Sequence, residues 1–381
     1  MAFARLMDKV VRVLIVGGGL AGLALAIALR QRGLSAALVE RASDWSATGA
    51  GLYLVGSAMR ALRALGIADD AARNGFVIRR QTFFNHRGTR LAEIDAGAFW
   101  DGCGPCLGLA HSALRNLLVQ RSEGLHIRLG TTVQALRQHS DHVWVQLSDG
   151  SCETYDLVVG ADGIRSSIRQ LEFGDSVPKF RGQVGWRFIV RRPRGLDGWM
   201  VFLGPQSAFL MLPIGNDLAY CYADKSGARP IQDRAQGSIE RLREDFADFA
   251  SPVREVLAQF DAAAPIHVSA IEEVANQCYG RGRVALIGDA AHAMSPNMAC
   301  GAAMAFEDAL VLAEIASRLG TVSEVTPELI RRRSARIEWV RNQTDRRDRT
   351  RTLPPALRDI FLRWFGNRLY QANYRPLLAP G

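Results

Sequence analysis

The stretch Gly17-Gly18-Gly19-Leu20-Ala21-Gly22 has the spacing G-x-G-x-x-G. Between a strand and a helix, that spacing serves a pyrophosphate. The first glycine permits the tight turn, the second lets the backbone approach the phosphates, and the third lets helix and strand pack closely. The helix start adds free N–H groups and a partial positive charge. Glu40 lies 18 residues beyond Gly22, where a carboxylate can accept hydrogen bonds from ribose hydroxyls. Two further clusters, Gly160-Ala161-Asp162-Gly163 and Gly288-Asp289-Ala290-Ala291-His292, each place an aspartate after a short apolar run. That is the carboxyl end of a parallel strand, where open α/β sheets bind ligands. Either aspartate could equally cap a helix. His292 is a candidate base and equally a structural residue of its turn.

These clusters need strands and helices to hold them. Val10 to Val16 is a β-branched apolar run suited to a central parallel strand, Leu20 to Arg32 reads as a helix ended by Gly33, and Ser35 to Val39 as a second strand. Asp156 to Val159 and Val284 to Ile287 repeat the buried-strand pattern, and Gly301 to Leu319 is an Ala-rich helix. Ala113 to Ser122 and Ser238 to Phe260 also read as helices, and Thr82 to Glu93 as strand-like. Between Gly182 and Tyr222 the pattern alternates and is rich in aromatics, as in an antiparallel sheet. The expected fold class is α/β. A discontinuous Rossmann-like domain with a parallel sheet spans 1–75, 100–178 and 275–352. An inserted antiparallel β-sheet substrate domain takes 76–99 and 179–274, and a C-terminal helical segment takes 353–381.

The 381 residues carry 47 basic and 38 acidic side chains, a formal net charge of +9. Nine arginines fall between Arg331 and Arg351, so the excess belongs mainly to one segment, expected to be a helix with a solvated basic face. With no recognisable nucleic-acid motif beside it, this charge does not point to nucleic acid. Val13 to Leu29 imitates a secretory leader, but its glycines fit a strand-turn-helix better. The expectation is a cytoplasmic protein with no membrane span, monomeric or homodimeric. Six cysteines are too few for a disulfide framework. Cys103-Gly104-Pro105-Cys106 has the form of a redox pair, or of a turn that happens to carry two thiols. No second Cys pair completes a metal site, and no metal is expected.

The glycine fingerprint, Ala161-Asp162-Gly163, and Gly288-Asp289 with the downstream Pro296 occur in the order found in class A flavoprotein aromatic hydroxylases, and the chain resembles that family over nearly its whole length. Gly49-Ala50-Gly51-Leu52 is similar to the family's segment beside the flavin. The resemblance implies the para-hydroxybenzoate hydroxylase fold with FAD as cofactor, NADH or NADPH as transient co-substrate, and dioxygen. The reaction it implies is hydroxylation of a small aromatic or N-heteroaromatic substrate through a flavin C4a-hydroperoxide. It places Gly17, Gly19 and Gly22 on the pyrophosphate, Glu40 on the adenosine ribose and Arg41 near the adenosine. Gly51 falls beside the flavin, Asp162 in a motif serving both nucleotides, Asp289 on the ribityl chain, and Gly301 at a helix start facing the flavin pyrimidine edge. The sequence departs in two places. Ala299-Cys300-Gly301 stands where the family often has Gly-Gln-Gly, and His111 stands where relatives usually have an arginine.

For the substrate, Trp186, Arg187, Tyr220, Tyr222 and Pro296 are the candidates, with Tyr220 and His292 as candidate catalytic groups. Phe202, Phe209 and Met211 are as well explained by a sheet core. Ala208 occupies the position of a substrate-pairing arginine in some relatives, which leaves Arg187 as the substitute anchor. The competing expectations are a flavin disulfide oxidoreductase using Cys103 and Cys106, a flavin halogenase suggested by Gly185-Trp186-Arg187-Phe188-Ile189, and, more remotely, a nucleic-acid-binding protein.

Overall fold

The structure, a computed structural model, describes residues 11–45, 50–174, 177–227, 238–261, 265–274, 279–318, 321–351 and 353–381. Gly49 of the expected flavin-side segment and Cys278 lie outside them. A six-stranded sheet forms the base. Its order is Gly280–Arg281, Val284–Leu286, Leu157–Gly160, Val13–Val16, Ala36–Val39 and His126–Arg128. All neighbours run parallel except the first pair. Val13–Val16 is buried along its whole length, which explains its unbroken apolar sequence. The helix Leu20–Arg30 packs closely on the helix Gly301–Arg318, and both bury several alanines. A three-stranded meander, Val133–Gln138, Val143–Leu147 and Cys152–Tyr155, fills the crossover before Leu157.

The seven-stranded sheet has the order His267–Glu273, Lys179–Arg191, Leu218–Ser226, Ser207–Gly215, Trp199–Gly204, Arg80–Asn85 and Arg90–Asp95. It is antiparallel except where Arg80–Asn85 runs beside Trp199–Gly204. Side chains alternate between its faces. One face carries a separate core of Trp186, Phe188, Phe202, Phe209, Met211 and Cys221, covered by the helices Ser238–Asp245 and Val253–Gln259. The opposite face carries Arg187, Tyr220 and Tyr222 and looks toward the parallel sheet. A small sheet of Gly51–Leu54, Cys106–Ala110 and Phe76–Ile78 joins the two. At Gly108 a Cβ would lie 2.0 Å from the Pro213 carbonyl oxygen, so the small sheet abuts the large one through a position only glycine fits.

Two expectations about elements are corrected. The single helix expected over Ser238 to Phe260 is two helices. Pro252 stands immediately before the second and lacks the N–H that a continuous helix would need. The basic segment is the helix Val325–Thr350, but its arginines are not simply a solvated face. Arg333 is fully buried between Glu307 and Asp308, Arg336 grips Glu307, Arg347 donates to the Asn297 carbonyl, and Arg351, just past the helix, forms an ion pair with buried Asp224. Glu307, Asp308 and Asp224 come from elements remote in sequence, whereas Arg331 pairs within its own helix, with Glu328.

The C-terminal helix Pro355–Tyr374 crosses the edge strand Arg90–Asp95, where Gly366 meets Ala92. Arg358 anchors it through the Gly204 and Leu203 carbonyls at 2.7 and 3.1 Å. Tyr370 accepts a hydrogen bond from the Trp100 indole at 2.9 Å. Among the described residues, no helix is long and apolar enough to cross a membrane.

Candidate active site

A cavity of about 1630 Å³ lies between the parallel sheet and the seven-stranded sheet. Single ligand pockets run to roughly 300–1,000 Å³, so there is room for a large cofactor and a substrate together. Its floor is built from Gly19, Leu20, Gly51, His111, Ala161, Asp289 and Gly301. Its wall is Arg187, Trp199, Leu210, Tyr220 and Tyr222, and one side is closed by Phe361, Leu362 and Leu369 of the C-terminal helix.

The glycine loop has the geometry its spacing requires. Gly17 has φ +108°, and a Cβ there would lie 2.5 Å from the Ala161 carbonyl oxygen. At Gly22 a Cβ would stand 1.9 Å from the Gly17 carbonyl oxygen, so any side chain would part helix from strand. Gly19 faces open space on the cavity side. This is an open cradle at a helix start, the form that suits a dinucleotide pyrophosphate. Glu40 braces the loop, accepting from the Gly18 N–H at 2.6 Å and the Ala42 N–H at 2.8 Å. A carboxylate has about four acceptor positions, so two are left for ribose hydroxyls. The Trp45 ring lies against Gly18, and Arg41 is exposed nearby in sequence.

Asp162 is not part of the cavity wall, although Ala161 and Gly163 are. One of its oxygens caps the helix Ser167–Phe173, accepting from the Ser167 N–H at 2.7 Å, the Ser167 hydroxyl at 2.8 Å and the Ile168 N–H at 3.2 Å. Its other oxygen is buried with no protein partner. Asp289 does reach the cavity, where its side chain is accessible. Being ringed by protein, its carboxyl is pushed above the ordinary range by burial, against a smaller opposing pull from His292. His292 also lines the cavity, but its ring is held from behind. Only 1% exposed, it shares a 2.7 Å hydrogen bond with Asp308, which also accepts from the Gly288 N–H and from Arg333.

The two departures from the family pattern both lie at the cavity. His111 lines it, and its Nδ1 is buried without a partner. Burial, and then Arg115, lower the pKa of this imidazole, so it sits beside the cavity as a neutral group. Ala299 adopts φ +48°, a left-handed conformation that favours glycine. The loop thus keeps a glycine-like turn without the glycine, and the helix starting at Gly301 still opens on the cavity with nothing within 4 Å of a Cβ at that residue.

On the wall, the Arg187 guanidinium lies 5.2 Å from the Tyr222 ring centre and donates to the Ser269 hydroxyl at 2.6 Å. Tyr222 is buried, and its hydroxyl has no partner. Tyr220 lies against Gly51, where a Cβ would come 2.4 Å from the ring, so Gly51 makes room for the tyrosine. Burial raises both phenols to about 12, with Arg187 pulling each part of the way back. Pro296 lines the cavity beside them. Trp186 does not. It is 2% exposed on the other face of the sheet, edge-on to Phe246, because it neighbours Arg187 and adjacent strand residues point oppositely. Trp199, His267 and Ser269 also line the site and were not anticipated. Trp199 was legible in part, as the first apolar residue of an alternating strand.

The thiol pair lies outside the cavity lining. Cys103 and Cys106 are buried and unbridged, and burial raises the pKa of both thiols, that of Cys106 to about 12. A thiol held protonated is a poor nucleophile. Among the described residues, no group of His, Cys, Asp and Glu could hold a metal ion.

Residues 10–322 match the FAD binding domain family. The chain is 34% identical over 342 residues to 2-heptyl-3-hydroxy-4(1H)-quinolone synthase of Pseudomonas aeruginosa, covering 87% of each chain. It is 31% identical over 333 residues to the aurachin C monooxygenase/isomerase of Stigmatella aurantiaca, covering 86% of this chain and 85% of that one. In fold it is similar to Klebsiella pneumoniae HpxO complexed with FAD and uric acid, with a TM-score of 0.81 at 22% identity over 97% of this chain and 92% of that one. The cradle, the cavity large enough for two molecules and these likenesses agree: the chain belongs to the FAD-binding-domain family of class A flavoprotein monooxygenases, and it is an FAD-dependent enzyme that uses NAD(P)H and dioxygen to hydroxylate an aromatic or heteroaromatic small molecule.

Proposed function

We propose that the substrate is a bicyclic N-heteroaromatic with an apolar side chain, such as a 2-alkyl-4(1H)-quinolone. The observation that carries this is the composition of the cavity wall. One polar corner, formed by Arg187, Tyr220 and the unpartnered Tyr222 hydroxyl, continues into an apolar surface of Trp199, Val201, Leu203, Phe361, Leu362 and Leu369. A ring carbonyl or phenolate would take the polar corner, and an alkyl chain would lie along the rest. The two curated relatives above, both acting in quinolone or aurachin chemistry by their names, support the reading.

FAD, when bound, supplies the redox chemistry, taking electrons from NAD(P)H and activating dioxygen. The protein positions it. Gly17, Gly19 and Gly22 cradle the pyrophosphate, Glu40 and Arg41 meet the adenosine, Asp289 meets the ribityl hydroxyls, and Gly301 and neutral His111 face the ring system. Gly51 makes room for Tyr220 on the cavity floor, where the flavin would lie. Asp162 holds the loop beside the cofactor through its helix cap. Arg187 orients the substrate and stabilises negative charge on its ring oxygen, which makes the ring electron-rich. Residues 1–75, 100–178 and 275–352 act as the cofactor domain, 76–99 and 179–274 as the substrate domain, and 353–381 as the tail that closes the cavity.

The test is NADH and NADPH oxidation by the holoenzyme over 4(1H)-quinolones whose 2-alkyl chain runs from methyl to nonyl, beside simple hydroxybenzoates. KM should fall as the chain lengthens, by up to threefold to fourfold per methylene, the partition equivalent of about 0.8 kcal/mol. Tyr222→Phe should raise KM with little change in thermal midpoint, because its hydroxyl has no partner to lose. Equal turnover of methyl and heptyl quinolones, or preference for a hydroxybenzoate, would refute the assignment.

A further inference from the structure

The C-terminal helix is apolar on two sides. Leu362, Leu369 and Tyr370 face inward on the cavity. Leu357, Ile360, Trp364 and Phe365 recur at helical spacing on the outside, with Phe361 between them at the cavity rim, and all five are exposed, Trp364 by 77% and Leu357 by 60%. Leu353, just before the helix, extends the same surface. A helix that is hydrophobic all round is normally buried, and a contiguous exposed patch of this kind marks an interaction surface.

We infer that this outward face docks on an anionic lipid surface. Leu, Ile, Phe and Trp in that pattern are the composition of helices that lie in the plane of a bilayer interface. The charge around the patch fits anionic lipid. Residues 353–381 contain four arginines and one acid, Asp359, and that acid is taken up by Arg358. Arg363, Arg368 and Arg375 are exposed along the helix or just past it, as is Arg346 near the end of the preceding helix. A second copy of the chain is the poorer fit, because a two-fold contact would set these arginines against themselves. The patch is also continuous with the cavity. Leu353 and Phe361 are both exposed and part of its lining, so the docked face would turn the cavity opening toward the lipid. This goes beyond the substrate reading and is measurable without turnover.

The experiment is flotation of the full-length holoenzyme with phosphatidylcholine vesicles, with and without phosphatidylglycerol, at low and high salt. Wild type should float with the anionic vesicles, less with neutral ones, and partly even at high salt. Leu357→Ser and Trp364→Ser should each weaken partition by about tenfold, since each removes roughly one large side chain from the lipid. Both are exposed and outside the cavity lining, so FAD content and turnover of a water-soluble substrate should be unchanged. No flotation with any vesicle would overturn the inference. So would binding that high salt abolishes and Trp364→Ser leaves intact, which is charge adsorption alone. A dimer in sedimentation velocity that Trp364→Ser disperses, with no flotation, would assign the patch to a second copy instead.

Discussion

Ala299 holds a left-handed conformation, φ +48°, in the turn that feeds the helix Gly301–Arg318. For an L-residue with a Cβ this costs about 1–2 kcal/mol, while glycine loses an extra ~0.5–1 kcal/mol of chain entropy on folding. Ala299→Gly should therefore stabilise the protein by about 0.5–1 kcal/mol, seen as a higher urea midpoint with the denaturant slope unchanged. A lower midpoint would show that the alanine methyl, packed against the core, outweighs the strain. At this scale the sequence was legible where function and backbone geometry coincide. Gly22 was readable because its close neighbour, the Gly17 carbonyl, lies a few residues away, and Gly17 because its own turn needs a positive φ, although the backbone it approaches, Ala161, is remote in sequence. Asp162 was legible only as two alternatives, because a ligand-binding aspartate and a helix-capping one occupy the same place after a strand; Ser167 and Ile168 fold back onto one of its oxygens and leave the other without a protein partner. Trp186 failed for a different reason. Alternation shows that Trp186 and Arg187 face opposite ways, but it does not say which of them meets the cavity.

The long helix Val325–Thr350 is held less by its own sequence than by what its arginines find. Arg333 donates to Asp308 at 2.7 Å and to Glu307 at 2.9 Å, tying this helix to Gly301–Arg318. Through Asp308 the tie extends to His292 and the Gly288 N–H, at the turn that presents Asp289 to the cavity. Removing one member of such a buried network leaves charges uncompensated, at a cost of about 3–5 kcal/mol. Arg333→Leu should lose that much stability in urea. It should also change the acid limb. Burial pushes the Asp308 carboxyl up, but His292 and Arg333 outweigh it and hold the group below its usual range. A depressed folded value means stability that is present above the unfolded pKa, about 3.9, and lost as pH falls through the folded one. Without Arg333 the loss on acidification should begin at a higher pH. An unchanged acid midpoint would place the coupling elsewhere. Nothing in the linear pattern marks this brace, because Glu307 and Asp308 stand more than twenty positions away and look like ordinary helix charges. The C-terminal helix was equally opaque, since a segment apolar on both faces has no periodicity to reveal which side lies on the cavity.

Among the described residues there are two hydrophobic cores, divided by the seven-stranded sheet. The larger runs from the parallel sheet through the helices Leu20–Arg30 and Gly301–Arg318 to the cavity-facing side of the large sheet, including Trp199, Tyr220 and Tyr222. The smaller lies on the far side, under the helices Ser238–Asp245 and Val253–Gln259. A cofactor in the cavity touches only the first. A ligand that binds the folded state stabilises it by about 2.7 kcal/mol at a hundredfold excess over its dissociation constant, and local opening that breaks the ligand's contacts bears that cost. Amide hydrogen exchange of the apoprotein and the FAD-loaded protein should therefore differ unevenly. Protection should rise at Gly19 to Leu23, at Asp289 to His292 and at Gly301 to Ala305, and change little at Leu242 to Phe249 and Val253 to Leu257. That contrast separates a cofactor seated on the glycine cradle from one that only tightens the molecule as a whole. Equal protection across both cores would mean the sheet does not divide them energetically. Protection confined to the small core would remove the cofactor from the cavity.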